Sequence, residues 1–110
     1  VRAAEIRFIT RHQRRGTHLI ILDIPLLFET QADKLCTAVM VVSTPAALQR
    51  ARILSRPNMT VERFKSIKSA QMPNVKRCRR ADYILDTSGT LKDTALNLQQ
   101  LLKQVYKDHV

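Results

Sequence analysis

Apolar and polar positions divide the chain into a short series of elements. Residues 1–15 predict a helix, with Val1, Ala4, Phe8 and Ile9 on one face and Arg2, Arg7, Arg11, Arg14 and Arg15 largely elsewhere. Gly16 follows this basic last turn and suits a left-handed C-cap. His18 to Asp23 (HLIILD) is a continuous apolar run, the pattern of a strand covered on both faces, and Pro25 stops its extension. Ala38 to Ser43 (AVMVVS) repeats the pattern with β-branched residues and predicts a second strand. Fourteen residues, 24–37, separate the two runs, too many for a tight hairpin, so the pair is expected to be parallel.

Thr44-Pro45 reads as an N-cap followed by proline at the first helical position, opening a helix that runs to about Ser55 and is closed by Pro57. A second helix opens near Thr60, with Glu62 in its first turn, and ends before Pro73. A basic stretch, Lys76 to Arg80, leads into a third short strand, Tyr83 to Asp86 (YILD). Thr87-Ser88-Gly89 makes a turn, and Thr90 with Asp93 three residues later resembles a capping box. The last helix sets Leu91, Ala95, Leu98, Leu102 and Val105 in one apolar stripe. The order α-β-(turn or short helix)-β-α-α-β-α predicts an α/β fold, an open sheet with helices on its faces, in a single domain.

Composition narrows the class. The 110 residues are 45% hydrophobic and 25% charged, enough apolar material for one globular core despite a net charge of +10. No apolar run approaches the roughly 18 residues of a membrane span. Residues 1–15 carry five arginines and no apolar core, unlike a secretory signal. Cys36 and Cys78 form neither a disulfide scaffold nor a metal-ligand pattern, which suits a reducing, cytoplasmic setting. Gly16 and Gly89 are the only glycines, so these 110 residues hold no glycine-rich phosphate loop. The chain begins with Val1 rather than Met and reads as a piece of a longer protein.

Candidate chemistry gathers at strand ends. In open parallel sheets ligands bind beyond the carboxyl ends of the strands, and both Asp23 and Asp86 close an apolar run. Such an Asp can hold the water shell of a Mg²⁺ ion beside a nucleotide; it is also an ordinary turn residue or helix cap. Arg50, Arg52 and Arg56 fall on the predicted helix after the second strand, with Arg52 and Arg56 four residues apart on one face. Lys76, Arg77, Arg79 and Arg80 form a second basic cluster. Planar guanidinium forks suit polyphosphate, and a solvated basic face gives the same pattern. The two clusters flank a helical hairpin, 45–72, able to act as a lid. His12, His18 and His109 are scattered, and Ser43 and Ser88 lack the glycines of a nucleophile elbow.

The string Asp23-Ile24-Pro25-Leu26-Leu27-Phe28-Glu29 resembles the core signature of the dephospho-coenzyme A kinase family. The strand Val39-Met40-Val41-Val42-Ser43, a helix with Gln49, Arg52 and Arg56, then Met59-Thr60, Gln71-Met72-Pro73, Arg77, Ala81-Asp82 and Ile84-Leu85-Asp86-Thr87 with Gly89 follow in that family's order. The resemblance covers essentially the whole chain, including the opening VRAAEIRFI.

It implies a P-loop kinase fold, incomplete at its amino end, that uses ATP with Mg²⁺ to phosphorylate the ribose 3′-hydroxyl of dephospho-coenzyme A. Residues 1–43 would form part of the nucleotide-binding core and the acceptor region, 44–78 the helical lid, and 79–110 the rest of the core. By position, Asp23 is the Mg²⁺-shell candidate, and Pro25, Leu26, Leu27, Phe28 and Glu29 lead toward the acceptor substrate. Arg52, Arg56 and Arg77 match phosphate and lid positions; Thr87, Ser88 and Gly89 match the backbone that passes the adenine ring. The family's phosphate loop, its lysine and its catalytic aspartate belong to an amino-terminal part absent from these residues. That part would also supply a strand of the sheet, so exposed apolar surface is expected, and the 110 residues alone are expected to be inactive. A basic nucleic-acid-binding module and a catalytically dead nucleotide-binding remnant are the alternatives. Against the former, three Phe and two Tyr are spread along the chain rather than interleaved with the basic clusters.

Overall fold

A computed structural model describes residues 2–110; Val1, placed on the apolar face of the first helix, lies outside the described residues. The elements run α1 (Arg2–Arg14), a 3-10 turn (Ala32–Leu35), β1 (Met40–Ser43), α2 (Ala46–Leu54), α3 (Val61–Ala70), α4 (Asn74–Arg80), β2 (Tyr83–Asp86) and α5 (Leu91–His109).

The sheet has two strands, β1 and β2, parallel and in register from Met40 beside Tyr83 to Ser43 beside Asp86. Parallel strands need a long crossover, and α2, α3 and α4 supply it. This corrects two expectations. The run His18 to Asp23 forms no regular element and is not a strand, and the parallel partner of Met40–Ser43 is Tyr83–Asp86. A strand exists only through ladder bonds to a neighbour, and among the described residues nothing pairs with 18–23. Its Ile21 is 69% exposed. Val42 and Ile84, within the two strands, are also open to solvent.

The core is small. Phe28, Val39 and Val41 form its centre, with Leu27, Cys36, Met72, Cys78 and Ala81 packed around them. Arg80 lies over the outer face of the Phe28 ring, 4.4 Å from its centroid, and pairs with Asp33 at 3.2 Å. Phe64 is buried on α3, where α3 packs on α2, with the Arg50 guanidinium 5.8 Å from its ring centroid.

Local signals at the helix ends are mostly realised. Gly16 adopts a φ of +73°, a left-handed conformation that glycine enters without strain. The Thr60 side chain accepts from the Arg63 N–H at the start of α3. At α5 the capping box is complete: the Asp93 N–H donates to the Thr90 hydroxyl and the Thr90 N–H donates to Asp93. A side chain at Gly89 would meet Asp93 Oδ2 at 2.6 Å, so the box requires glycine there.

Other details differ. Pro45 is itself the cap of α2, one residue later than expected, which leaves the Thr44 hydroxyl buried without a hydrogen-bond partner. The basic stretch from Lys76 belongs to a helix, α4, that packs on β1. On α1 the inward face carries Arg2, Glu5, Ile9 and His12, and Phe8 is turned outward against His12. The Arg2 guanidinium anchors this helix by donating to the Thr30 carbonyl at 2.6 Å. The apolar stripe of α5 rotates as well. Leu91 is 91% exposed, and Asn97, Leu101, Leu102 and Val105 lie on the part-buried side as α5 packs on β2.

Candidate functional site: an arginine cleft at the carboxyl end of the sheet

Beyond the carboxyl end of β1 lies a cleft of about 190 Å³, lined by Val42, Thr44, Gln49, Arg52, Ile53, Arg56, Asn74 and Arg77. Three elements build it. β1 carries Val42 and delivers the chain to Thr44; α2 contributes Gln49, Arg52 and Ile53; α4 returns with Asn74 and Arg77. The sequence's two separate arginine clusters therefore meet: Arg52, Arg56 and Arg77 face one space. Arg56 reaches it from the turn after α2, not from the helix itself, which ends at Leu54. A Ser55 hydroxyl bond to the Arg52 carbonyl closes that turn at 2.7 Å.

The cleft is rich in donors and poor in negative charge. None of the three arginines forms a salt bridge among the described residues. Arg52 and Arg56 are exposed, whereas Arg77 is half-buried and its Nε has no hydrogen-bond partner. The Thr44 hydroxyl is likewise buried and unsatisfied. Three guanidiniums without an ion-pair partner among the described residues, with the unsatisfied Thr44 hydroxyl beside them, suit an oxyanion with several acceptor oxygens. Ligand sites for whole small molecules run from about 300 Å³ upward, so this cleft fits a phosphate chain better than an entire nucleotide.

Ser43 joins the cleft to the loop after β2. Its hydroxyl accepts from the Asn74 amide at 3.3 Å, and its carbonyl accepts from the Thr87 N–H at 3.0 Å. Thr87, Ser88 and Gly89 thus sit at the same end of the sheet as the arginines. Asp86 accepts the Ser88 N–H at 2.9 Å, and this backbone bond, ahead of the Ser88 side chain, holds its carboxyl below the ordinary range. Asp86 is the turn residue of the pair. Asp23 is exposed and makes no side-chain hydrogen bond among the described residues.

The remaining candidates divide. Leu27 packs against the core beside Phe28, while Pro25, Leu26 and Glu29 stay exposed. Leu26 and Gln31 bound this turn with φ of 52° and 60°, a compact reversal that turns Phe28 inward. Among the described residues no cluster of three His, Cys, Asp or Glu could hold a metal ion. Asp23 is not among the residues that line the arginine cleft.

The family model for dephospho-CoA kinase matches residues 3–93, most of the chain. The chain belongs to the dephospho-CoA kinase family. Among curated members of this family, a Rhizobium etli dephospho-CoA kinase is 40% identical over 96% of this chain and 52% of its own length. One from Novosphingobium aromaticivorans is 46% identical over 89% of this chain and 48% of its own. The chain therefore spans about half the length of these relatives. The crystal structure of TT1252 from Thermus thermophilus superimposes with a TM-score of 0.72 at 25% identity, covering 94% of this chain and 55% of that one. No helix among the described residues is long and apolar enough to cross a membrane.

Sequence reasoning named Arg52, Arg56 and Arg77 and passed over Asn74. Its only signal is its place after Pro73, at the start of a helix too short and too basic to show an apolar period.

Proposed function

We propose that this chain contributes the lid and the carboxyl-terminal core of an ATP-dependent kinase that phosphorylates the ribose 3′-hydroxyl of dephospho-coenzyme A. The observation that carries the reading is the convergence of Arg52, Arg56 and Arg77 on one cleft at the carboxyl end of β1. Phosphoryl transfer is catalysed mainly by positioning and by neutralising charge on the phosphate chain. Three unpaired guanidiniums and the buried hydroxyl of Thr44 are the groups for that task.

In this reading α2 and α3 form the mobile part that brings Arg52 and Arg56 over the phosphates, and α4 holds Arg77 against the core. Thr87, Ser88 and Gly89 border the adenine, and Pro25, Leu26, Leu27 and Glu29 lie toward the acceptor. Asp23 would hold the water shell of a Mg²⁺ ion, which when bound would neutralise phosphate charge. The protein acts in the cytoplasm on ATP and dephospho-coenzyme A, with no membrane or nucleic-acid partner.

The test is a coupled ADP-release assay. The intact protein turns over dephospho-coenzyme A with Mg²⁺-ATP, and the 110-residue chain alone does not, since its two glycines leave no phosphate loop in these residues. Comparable turnover by the chain alone would overturn the division of labour. An intact protein inactive on dephospho-coenzyme A would overturn the function.

A further inference from the structure

We infer that Asn74 is a positioning residue that fixes the Arg77 guanidinium in the cleft by tying it to the end of β1. The inference rests on the phosphate-binding role proposed above for that cleft. Asn74 stands between two groups from different elements. Its Oδ1 accepts from Arg77 at 3.2 Å, and its Nδ2 donates to the Ser43 hydroxyl at 3.3 Å. The orientation of the amide follows from chemistry. A guanidinium only donates, so the oxygen of Asn74 must face Arg77, and the nitrogen then faces Ser43. Cys78 Sγ lies 3.8 Å from the same oxygen, on its other lone pair.

The consequence concerns order. An arginine side chain is costly to immobilise, because it has several rotatable bonds, and Arg77 forms no salt bridge among the described residues to hold it. With one terminal nitrogen held by Asn74, the guanidinium stays aligned before any ligand arrives. Its Nε remains buried without a partner. Ser43 closes the link to the rigid part of the fold, because its carbonyl accepts from Thr87 across the two strands. Arg52 and Arg56 have no such tether among the described residues, and both are exposed. The cleft therefore pairs one tethered guanidinium with two untethered ones, and Asn74 makes the difference.

Calorimetric titration of the intact protein with inorganic tripolyphosphate tests this without adenine or acceptor. Asn74→Leu keeps the shape and removes the acceptor, and it weakens tripolyphosphate binding about fivefold, the effect of losing one ordinary hydrogen bond. Asn74→Gln keeps a neutral amide able to accept from Arg77 and to donate to Ser43, and it stays within about twofold of wild type. On an Arg77→Ala background, Asn74→Leu has no further effect, because the two side chains act as one unit. Should Asn74→Leu not fold, Asn74→Ser, whose hydroxyl is too short to reach Arg77, takes its place with the same outcomes. If Arg77→Ala weakens binding and Asn74→Leu does not, the positioning role is overturned while the cleft stands. The same holds if Asn74→Leu adds its full effect to Arg77→Ala. If neither variant changes binding, the phosphate role of the cleft is overturned, and the inference with it.

Discussion

Residues 18–23 and residues 83–86 carry the same message, a short apolar run ending in Asp, and only the second is a strand. Tyr83–Asp86 lies beside Met40–Ser43 in parallel register, and Leu85 is buried. His18–Asp23 has no neighbour among the described residues, and its Ile21 is left in solvent. The difference teaches that a continuous apolar run is a demand for partners on both edges and both faces. It becomes a strand only where the chain supplies them. The two aspartates diverge for a related reason. Asp86 is occupied by the Ser88 N–H, which stabilises its turn, whereas Asp23 makes no side-chain hydrogen bond among the described residues. The Asp23 role proposed above requires such an unoccupied carboxylate.

The sharpest way to break this comparison is the same substitution at both positions. In the intact protein, Asp23→Asn should lose roughly a hundredfold in kcat, with partial recovery at high Mg²⁺, because a metal shell needs the negative charge. Its melting temperature should stay within a few degrees of wild type. Asp86→Asn keeps an oxygen for the Ser88 N–H and should leave kcat within about threefold. Interchanged results would assign chemistry to Asp86 and capping to Asp23.

Next in size is the cleft that β1 and its crossover build. Arg52→Ala should lower kcat/KM about tenfold or more, the value of one charge-assisted contact to phosphate. If Arg52→Ala and Arg56→Ala both leave kcat/KM within about twofold, these arginines are surface charges.

A smaller effect is expected where the second run meets α5. Thr90→Ala removes half of the capping box and should cost about 1 kcal/mol. That corresponds to a melting temperature lower by about 4–8 °C. An unchanged midpoint would mean that α5 is held by packing on β2 and not by its cap.

The smallest effect lies at the other end of β2, where the Tyr83 hydroxyl donates to Asp108 at 2.6 Å. That bond holds the Asp108 carboxyl below its ordinary range and, with burial and nearby carboxylates adding, pushes Tyr83 up to about 12. Asp108 therefore stabilises the fold above about pH 4, and its contribution is lost as pH falls through the depressed value. Tyr83 contributes below about pH 10, and its share is lost as pH rises toward 12. Asp108 is exposed and Tyr83 only half-buried, so solvent screening keeps the effect small. Tyr83→Phe should melt slightly lower than wild type between those limits, with the gap narrowing beyond each. A gap independent of pH would show that the ring's packing, and not the hydroxyl, is what matters.

Elements that depend on near neighbours were legible in the residues alone. The capping box of Thr90 and Asp93, the Thr60 cap, the left-handed Gly16 and the strand Tyr83–Asp86 all follow from local chemistry within a few positions. The family, too, was carried by short ordered motifs, beginning with Asp23 to Glu29. Placement between distant segments was not legible. The partner of β1, the loss of a strand at 18–23, the helix hidden in Asn74–Arg80 and the exposed Leu91 were decided by tertiary structure. So was the meeting of Arg52 and Arg56 with Arg77, with Asn74 between Arg77 and Ser43. A cap or a turn closes its hydrogen bonds within one stretch of chain, so its residues state it. A ladder, a buried face or a shared cleft is a relation between stretches, and only the folded chain brings both sides together.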